Sequence, residues 1–348
     1  MKLERESAKQ IRQPLAGTST WKSIIKGSYV FILLVLIVVI LSVVKLGQVD
    51  MFARGHFLNW DGSLVNLFRA AVPIMTLSGG FTLLMISGNI DLSVGSALSL
   101  SAVVYSLMIL NGFGFTVSLI ITMILGIFLG FINGLLVMKL RITPVIATLV
   151  TLSLYKGIAR LIVPPGVSAI KSDAGNTMPA WINDYARKDL ILGLPTAFFV
   201  AIAVIVILVI IQRRTIIGKY STAIGGNRLA AELSGINAVK IVWILYIIVG
   251  LLAALAGVAR ASYMSVGDPL TGDGMELDCI IAVLLGGTAF SGGEGSVSKT
   301  IVGAFIIMCI SIGLMTAIPP YWQMFIKGTV LVLAVTLNSL LVREKATA

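Results

Sequence analysis

The chain has 348 residues, 57% of them hydrophobic and only 12% charged, and its 26 Lys and Arg outnumber 15 Asp and Glu to give a net charge of +11. A soluble domain carries about twice that share of charge, so the composition excludes a water-soluble globular protein and marks an integral membrane protein. Repeated long apolar runs select helices over a barrel, and the positive charges sit at the edges of those runs, where they set topology and leave no basic surface for nucleic acid.

A basic, polar tail, 1–26, comes first and is followed by the apolar run Tyr29–Val44. Val44-Lys45-Leu46-Gly47 offers no small-residue cleavage site, so this run reads as a retained helix. His56, the only histidine, lies in a polar loop without Cys or His neighbours and reads as structural. Further helices are expected at Leu64–Ile86, Val94–Leu110, Thr116–Met138, Ile142–Ile162, Ile191–Ile211, Ile241–Tyr263, Val297–Met315 and Tyr321–Val342, with a shorter one at Leu277–Phe290. The expected fold is therefore an all-α polytopic membrane protein of about ten transmembrane helices, some broken or re-entrant. The membrane domain runs over 27–342, with a loop at 163–190, a polar segment at 212–240 and a short tail at 343–348. Cys279 and Cys309 both fall in apolar runs and show no metal-ligand spacing.

Orientation follows from the loop charges. With the N-terminus inside, the inner segments hold Lys2, Arg5, Lys9, Arg12, Lys22, Lys26, Lys139, Arg141, Arg213, Arg214, Lys219, Arg228, Lys240, Lys299, Arg343 and Lys345. The outer loops hold Lys45, Arg54, Lys171, Arg187 and Lys188. That bias places both termini in the cytoplasm. The outer loops are acidic, with Asp173, Asp184 and Asp189 in Val163–Asp189 and Asp268, Asp273, Glu276 and Asp278 in Ser265–Asp278. They read either as solvated surface with Trp181 and Tyr185 at the headgroups, or as a docking surface.

Two stretches echo each other. Leu83–Ser96 reads LLMISGNIDLSVGS and Leu284–Ser296 reads LLGGTAFSGGEGS, each a helix end, a glycine-rich break and a Gly-Ser entry into the next helix. Two weakly related halves with broken helices point to a transporter core. Ser87, Asn89, Asp91, Ser93, Gly286, Gly287 and Ser291 are the candidates here, for helix breaks or for a translocation path. Asp91 or Ser93 can cap the following helix, and Asp91 can alternatively lie on a solute or proton path. The second break lacks Gly-Lys-Ser/Thr, so it is no phosphate loop. Arg69, Lys156, Arg160, Arg260 and Lys327 lie in or near helices, and most can snorkel to an interface.

In the segment 212–240, Asn227 can cap a short helix over Arg228-Leu229-Ala230-Ala231-Glu232-Leu233, and Gly235 can close it. Leu229, Leu233 and Ile236 give it an apolar face. Such a helix either rests on lipid or inserts into a groove on a soluble partner.

These stretches resemble the membrane permease of bacterial ABC importers for simple sugars, the ribose/xylose/galactose permease family. The marks are SGNIDLSVGS at Ser87–Ser96, AIGGNRLAAELSGI at Ala223–Ile236, LLGGTAFSGGEGSV at Leu284–Val297 and YWQMFIKGTVLVLAV at Tyr321–Val335. Asn89 stands where a second glycine is common, and Ser298-Lys299 interrupts the small-residue run after Gly295. The resemblance implies a non-enzymatic transport subunit in the bacterial cytoplasmic (inner) membrane. It implies a dimer with a second permease copy, identical or paralogous, and two cytoplasmic ABC ATPase subunits that use ATP and Mg. This chain would bind no cofactor itself. An extracytoplasmic sugar-binding protein would deliver the solute. Gly226, Asn227, Arg228, Ala230, Ala231, Glu232, Leu233, Ser234 and Gly235 would form the coupling helix that docks on the ATPase. The solute would be a monosaccharide, or alternatively a sugar-derived signal, a sugar alcohol or a cyclitol. An ion-coupled secondary transporter using Asp91 and a membrane scaffold or receptor are the readings from other classes.

Overall fold

The structure is a computed structural model that describes residues 64–172 and 177–315, with residues 31, 34, 35, 322, 325–330, 332 and 336 beyond them. The tails 1–26 and 343–348, Asp173 and His56 lie outside the described residues, and the expected helices Tyr29–Val44 and Tyr321–Val342 are described only at the isolated positions just given, all helical.

The helices in chain order are α1 (Val65–Ile86), α2 (Val94–Leu110), α3 (Phe115–Gly134), α4 (Pro144–Ile162), α5 (Thr196–Arg214), α6 (Ile216–Gly226), α7 (Arg228–Leu233), α8 (Ala238–Met264), α9 (Met275–Leu285) and α10 (Val297–Met315). A π-helical turn, Leu135–Lys139, extends α3. Five of these are long and apolar enough to cross a membrane: α1, α3 with its π turn, α4, α5 and α8. The chain is thus a polytopic helical membrane protein.

Apolarity all round a helix means burial in protein or in lipid, and the two kinds separate here. The most apolar window of α1 is 83% buried and that of α8 67%, against 28% for α3 and for α4 and 22% for α5. So α1 and α8 form the centre. α8 packs on α1, α2 and α3, while α1 also packs on α5, α9 and α10. The outer helices turn Ile120, Ile124, Phe128, Val206 and Ile207 outward, an apolar surface suited to lipid chains.

Two expected boundaries move, for local reasons. Ile191–Ile211 begins instead at Thr196, because Asp189–Ile191 (β1) pairs antiparallel with Leu194–Pro195 (β2). Leu192 (φ 54°) and Gly193 (φ 77°) make the tight turn between them, and extended Pro195 leads into α5. Arg69, on α1, pins this hairpin through Asp189 and the Gly193 carbonyl. Leu277–Phe290 ends instead at Leu285, where Gly286-Gly287 stop the helix with Gly287 at φ 79°.

The helices alternate between two ends. One gathers 87–93, 139–143, 215–237 and 286–296, with Lys139, Arg141, Lys219 and Arg228, and is here the basic end; the other gathers 111–114, 163–172, 177–195 and 265–268, with Asp184, Asp189 and Asp268, and is the acidic end. At the acidic end the long loop packs down onto α8. Ile170 forms a two-way backbone bridge with Gly267, Ser262 Oγ donates to the Ile182 carbonyl, and the Arg187 guanidinium lies 5.1 Å above the Tyr263 ring.

After α8 the chain turns back into the bundle. Gly267 lies against Ala102 and Ser106 of α2, while Gly272 lies against Gly95 and Ser99. That is a descent of about 10 Å along α2, at 1.5 Å per residue. Gly272 N–H donates to Ser99 Oγ at 2.8 Å, and a Cβ added at Gly272 would stand 2.0 Å from the Gly95 carbonyl oxygen. Only glycine lets the two backbones approach this closely. α9 therefore starts deep, beside the first turn of α2, and this explains its short length.

Candidate functional site

The two glycine-rich breaks, far apart in sequence, meet at the basic end. α1 ends at Ile86, and Ser87 Oγ donates back to the Leu84 carbonyl at 2.6 Å. The freed Ile86 carbonyl accepts from Gly293 N–H at 2.8 Å, which joins the first break to the second. Gly225, in the last turn of α6, closes on the same point. A Cβ added there would lie 1.8 Å from the Ile86 carbonyl oxygen and 2.5 Å from Gly293 N. Gly293, at φ 81°, in turn faces the Gly226 backbone. Three segments thus touch backbone to backbone, with no side chain between them to absorb a displacement.

Gln212 adds a second tie between the same parts. From the last turn of α5, its Nε2 donates to the Gly295 carbonyl at 2.9 Å and its Oε1 accepts from Val297 N–H at 2.9 Å. It therefore satisfies the first free N–H of α10, as an N-cap would. Sequence reasoning missed Gln212. Its only signal was that it is the one uncharged polar residue between Ile211 and Arg213.

From Gly226 the chain enters α7. Asn227 Oδ1 accepts from Ala230 N–H at 3.0 Å, and Arg228 Nε pairs with Glu232 Oε1 at 2.9 Å. Gly235 sits at φ 84°, and the Ile236 N–H returns to the Ala231 carbonyl at 3.0 Å to close the helix. Ser234 Oγ donates to the Ala230 carbonyl at 2.8 Å. Asn237 then caps α8 through Lys240 N–H at 2.9 Å. Only Ala231 of this short helix is buried, and Leu229 and Leu233 stand 67% and 81% exposed. Of the apolar face expected from the spacing, Leu229 and Leu233 thus point away from the bundle, while Ile236 packs against the core.

A cavity of about 870 Å³ lies beneath α7. Its walls include Ser87 and Asn89 from the first break, Ser291 from the second, Gly226, Asn227, Arg228 and Glu232 from the α6–α7 segment, and Arg141 from the α3–α4 turn. Asn89 Nδ2 donates to the Ser87 carbonyl at 3.0 Å, so this wall presents ordered polar groups. Gly286 and Gly287 lie apart from it, with Gly286 against Thr300 of α10.

Asp91 and Ser93 are held elsewhere. Asp91 is 2% exposed. Its Oδ1 accepts from Ser93 N–H at 2.8 Å and Ser93 Oγ–H at 2.7 Å, while Oδ2 accepts from Asn133 Nδ2 at 3.0 Å. Tyr155 OH donates to the Leu129 carbonyl at 2.9 Å and faces Asn133 Oδ1 at 3.3 Å. Asp91 therefore fastens the entry of α2 to α3 and α4. Ser93 donates its hydroxyl to Asp91 and does not use it to cap α2. Asn133→Leu removes the donor to Oδ2 and is expected to cost about 1–3 kcal/mol, read as a lower unfolding midpoint in detergent. An unchanged midpoint would show that packing alone holds this joint.

Most of the charged helix residues have protein partners, while Arg160 is exposed. Lys156 bonds Asp273 at 2.6 Å, Arg260 donates to Thr271 Oγ1 at 3.1 Å and Lys327 bonds Asp278 at 2.8 Å. Among the described residues no group of three His, Cys, Asp or Glu side chains gathers for a metal, and Cys279 and Cys309 are buried free thiols.

Comparison with known proteins agrees with this architecture. A family described as the permease component of branched-chain amino acid transport systems matches residues 63–335. Similar proteins include the ribose import permease of Bacillus subtilis (strain 168), 33% identical over 79% of this chain and 84% of its own length. The fructose import permease of Bifidobacterium longum (strain NCC 2705) is 31% identical, covering 89% of this chain and 84% of its own. The autoinducer 2 import system permease of Photorhabdus luminescens is 34% identical, covering 76% and 78%. No solved structure matches this chain.

Proposed function

This chain belongs to the permease-component family that matches residues 63–335, whose members are multi-pass inner-membrane transport subunits, and from that premise we propose that it forms the membrane path of an ATP-driven importer for a monosaccharide or a close sugar derivative. The solute class rests on the ribose, fructose and autoinducer 2 import permeases it resembles. ATP and Mg act in partner ATPase subunits, and a binding protein outside the membrane delivers the solute. The permease domain spans 27–342, crosses the membrane about ten times and keeps both termini in the cytoplasm, so the basic end with α7 faces the ATPase.

The observation that carries the coupling mechanism is the contact of Gly225, Ile86 and Gly293 at the base of α7. A capped helix presents Leu229 and Leu233 outward, and its root presses on both helix breaks. Closure of the ATPase pair moves α7, and the backbone contacts pass that movement to the ends of α1 and α9 and the start of α10. Asp91 serves as a structural tie in this reading, since both its oxygens are occupied by neighbours in the same chain.

The test is ATP hydrolysis by the reconstituted permease, ATPase and binding protein. Ribose, fructose, sugar alcohols, cyclitols and branched-chain amino acids are offered one at a time. A monosaccharide is expected to stimulate turnover, and stimulation by leucine or valine alone would overturn the solute class. Uptake that survives ATP depletion but collapses with a protonophore would overturn ATP coupling and favour a secondary transporter.

A further inference from the structure

Many cations of this chain are neutralised within it. Arg69, Lys156, Lys188, Arg228 and Lys327 each pair with a carboxylate. At the joint of α5, α6 and the start of α10 that balance fails. Residues 212–226 and 286–300 hold Arg213, Arg214, Lys219 and Lys299 against Glu294 alone. Among the described residues none of these four cations forms an ion pair. The fold gathers them from distant segments. Arg213 Nη2 donates to Ser298 Oγ at 3.5 Å, across 85 positions of sequence, which sets Lys299 beside the last turn of α5. A Cβ added at Gly218 would lie 2.2 Å from the Gln212 carbonyl oxygen, so the first turn of α6 folds back on the end of α5 and brings Lys219 with it. Arg213, Arg214 and Lys219 are exposed.

The charge bias that orients a membrane chain is met by cations anywhere in the inner loops, so it does not require this gathering. Arg213 and Arg214 stand in the last turn of α5, where the carbonyl end of a helix favours cations. Lys299 stands in the first turn of α10, at the end where free N–H groups disfavour a cation. Three more positive charges nearby raise that cost, and an anion at this point removes it. An apolar track leads to the same place. Ile202, Val206 and Ile210 of α5 are exposed at intervals of four, and Arg214 takes the next position in the row. From Ile202 to Arg214 the row is about 18 Å long, enough to line one leaflet of a hydrocarbon core about 30 Å thick. Ile216, 64% exposed, continues the apolar surface past the turn.

We propose that an anionic phospholipid binds at this joint, with its phosphate among Arg213, Arg214, Lys219 and Lys299 and an acyl chain along Ile202, Val206 and Ile210. A free phosphate would use the cations and leave the apolar row bare, whereas a phospholipid complements both. The bound headgroup neutralises the joint at which Gln212 holds Gly295 and the first N–H of α10, and so it steadies the contact between α5 and the second break. The proposal rests on the cytoplasmic placement of the basic end only for the leaflet that supplies the lipid.

The test follows the unfolding midpoint of the full chain in a neutral detergent while phosphatidylglycerol is titrated in, with phosphatidylcholine and inorganic phosphate titrated separately. Phosphatidylglycerol is expected to raise the midpoint with saturation, because a ligand that binds only the folded state stabilises it. Arg213→Gln with Lys299→Gln is expected to raise the half-effective phosphatidylglycerol concentration at least about tenfold, through the loss of two cations at the headgroup. Arg214→Gln with Lys219→Gln is expected to do the same, and it removes two exposed side chains that make no hydrogen bond among the described residues. Arg213→Lys with Lys299→Arg keeps the charge and is expected to respond as the unaltered chain does, which separates lost charge from disturbed packing. Lys139→Gln with Lys240→Gln removes two charges from the same end, away from the joint, and is expected to leave the response unchanged. An equal loss in that control would make the effect general to the basic end and overturn the site. A full response to phosphatidylcholine or to inorganic phosphate would overturn an anionic phospholipid as the ligand, and no response to phosphatidylglycerol would overturn the proposal outright. None of these readouts requires ATP, sugar or a partner subunit, so failure here is distinct from failure of the importer reading.

Discussion

Gly225→Ala is expected to impair coupled uptake severely. The new methyl group would stand 1.8 Å from the Ile86 carbonyl oxygen and 2.5 Å from Gly293 N, both backbone atoms with no rotamer to change. Relief requires separating α6 from the two breaks, which also breaks the Gly293 N–H to Ile86 hydrogen bond. The combined cost is about 2–4 kcal/mol, from overpacking and a lost buried hydrogen bond. Two measurements follow. The unfolding midpoint in detergent should fall, and ATP-driven uptake should fall at least about tenfold among molecules still folded, since movement of α7 no longer reaches Ile86. Gly226→Ala provides the stability comparison, because a Cβ at that neighbouring position meets nothing within 4 Å. Its midpoint should shift by less than about 0.5 kcal/mol in equivalent stability. Equal behaviour of the two variants would show that the close approach carries no mechanical role.

Leu229→Asp combined with Leu233→Asp is expected to release the ATPase subunits while leaving the permease folded. Both leucines are largely exposed, 67% and 81%, so the permease by itself loses almost no buried apolar surface. A partner that buries both side chains gains about 1.5–3 kcal/mol from each, and two aspartates remove that gain and add a desolvation penalty. Co-purification with the ATPase should be lost, and ATP-driven uptake should fall at least about 100-fold, the equivalent of about 3 kcal/mol of contact energy. If α7 lies on lipid instead, the double variant would leave ATPase binding intact.

Much of the fold is legible in the sequence because its cause is local and repeated. A run of about twenty apolar residues has few alternatives to a membrane helix: α2 begins and ends where its apolar run does, α1 ends at Ile86 and α10 begins at Val297, as their runs do. The α7 cap was equally legible, since an Asn oxygen meets an N–H three residues on whatever surrounds it. The start of α5 was not. Ile191 is apolar and suits a helix, but pairing with Leu194 draws it into a hairpin that Arg69, distant in sequence, holds in place.

The candidate site divides in the same way. Asn227, Gly235 and the glycine-rich breaks could be named from residue type and spacing, because capping and tight turns require those types. That Gly225, Ile86 and Gly293 share one point could not be read, because such contact depends on how α1, α6 and α9 cross. Gln212 and Asn133 were silent for the same reason, each being an ordinary amide whose partners lie dozens of residues away.

By itself, then, the sequence determined a polytopic helical membrane protein, the order of its helices and the glycine-rich points where they break, since apolar run length and backbone freedom are properties of short segments. Only the tertiary structure decided that the two breaks converge under α7, that Leu229 and Leu233 point outward, and that the segment after α8 turns back into the bundle against Gly95 and Ser99 of α2. Those outcomes are set by which helices pack together and how closely their backbones approach, a sum of many long-range contacts that no single segment encodes.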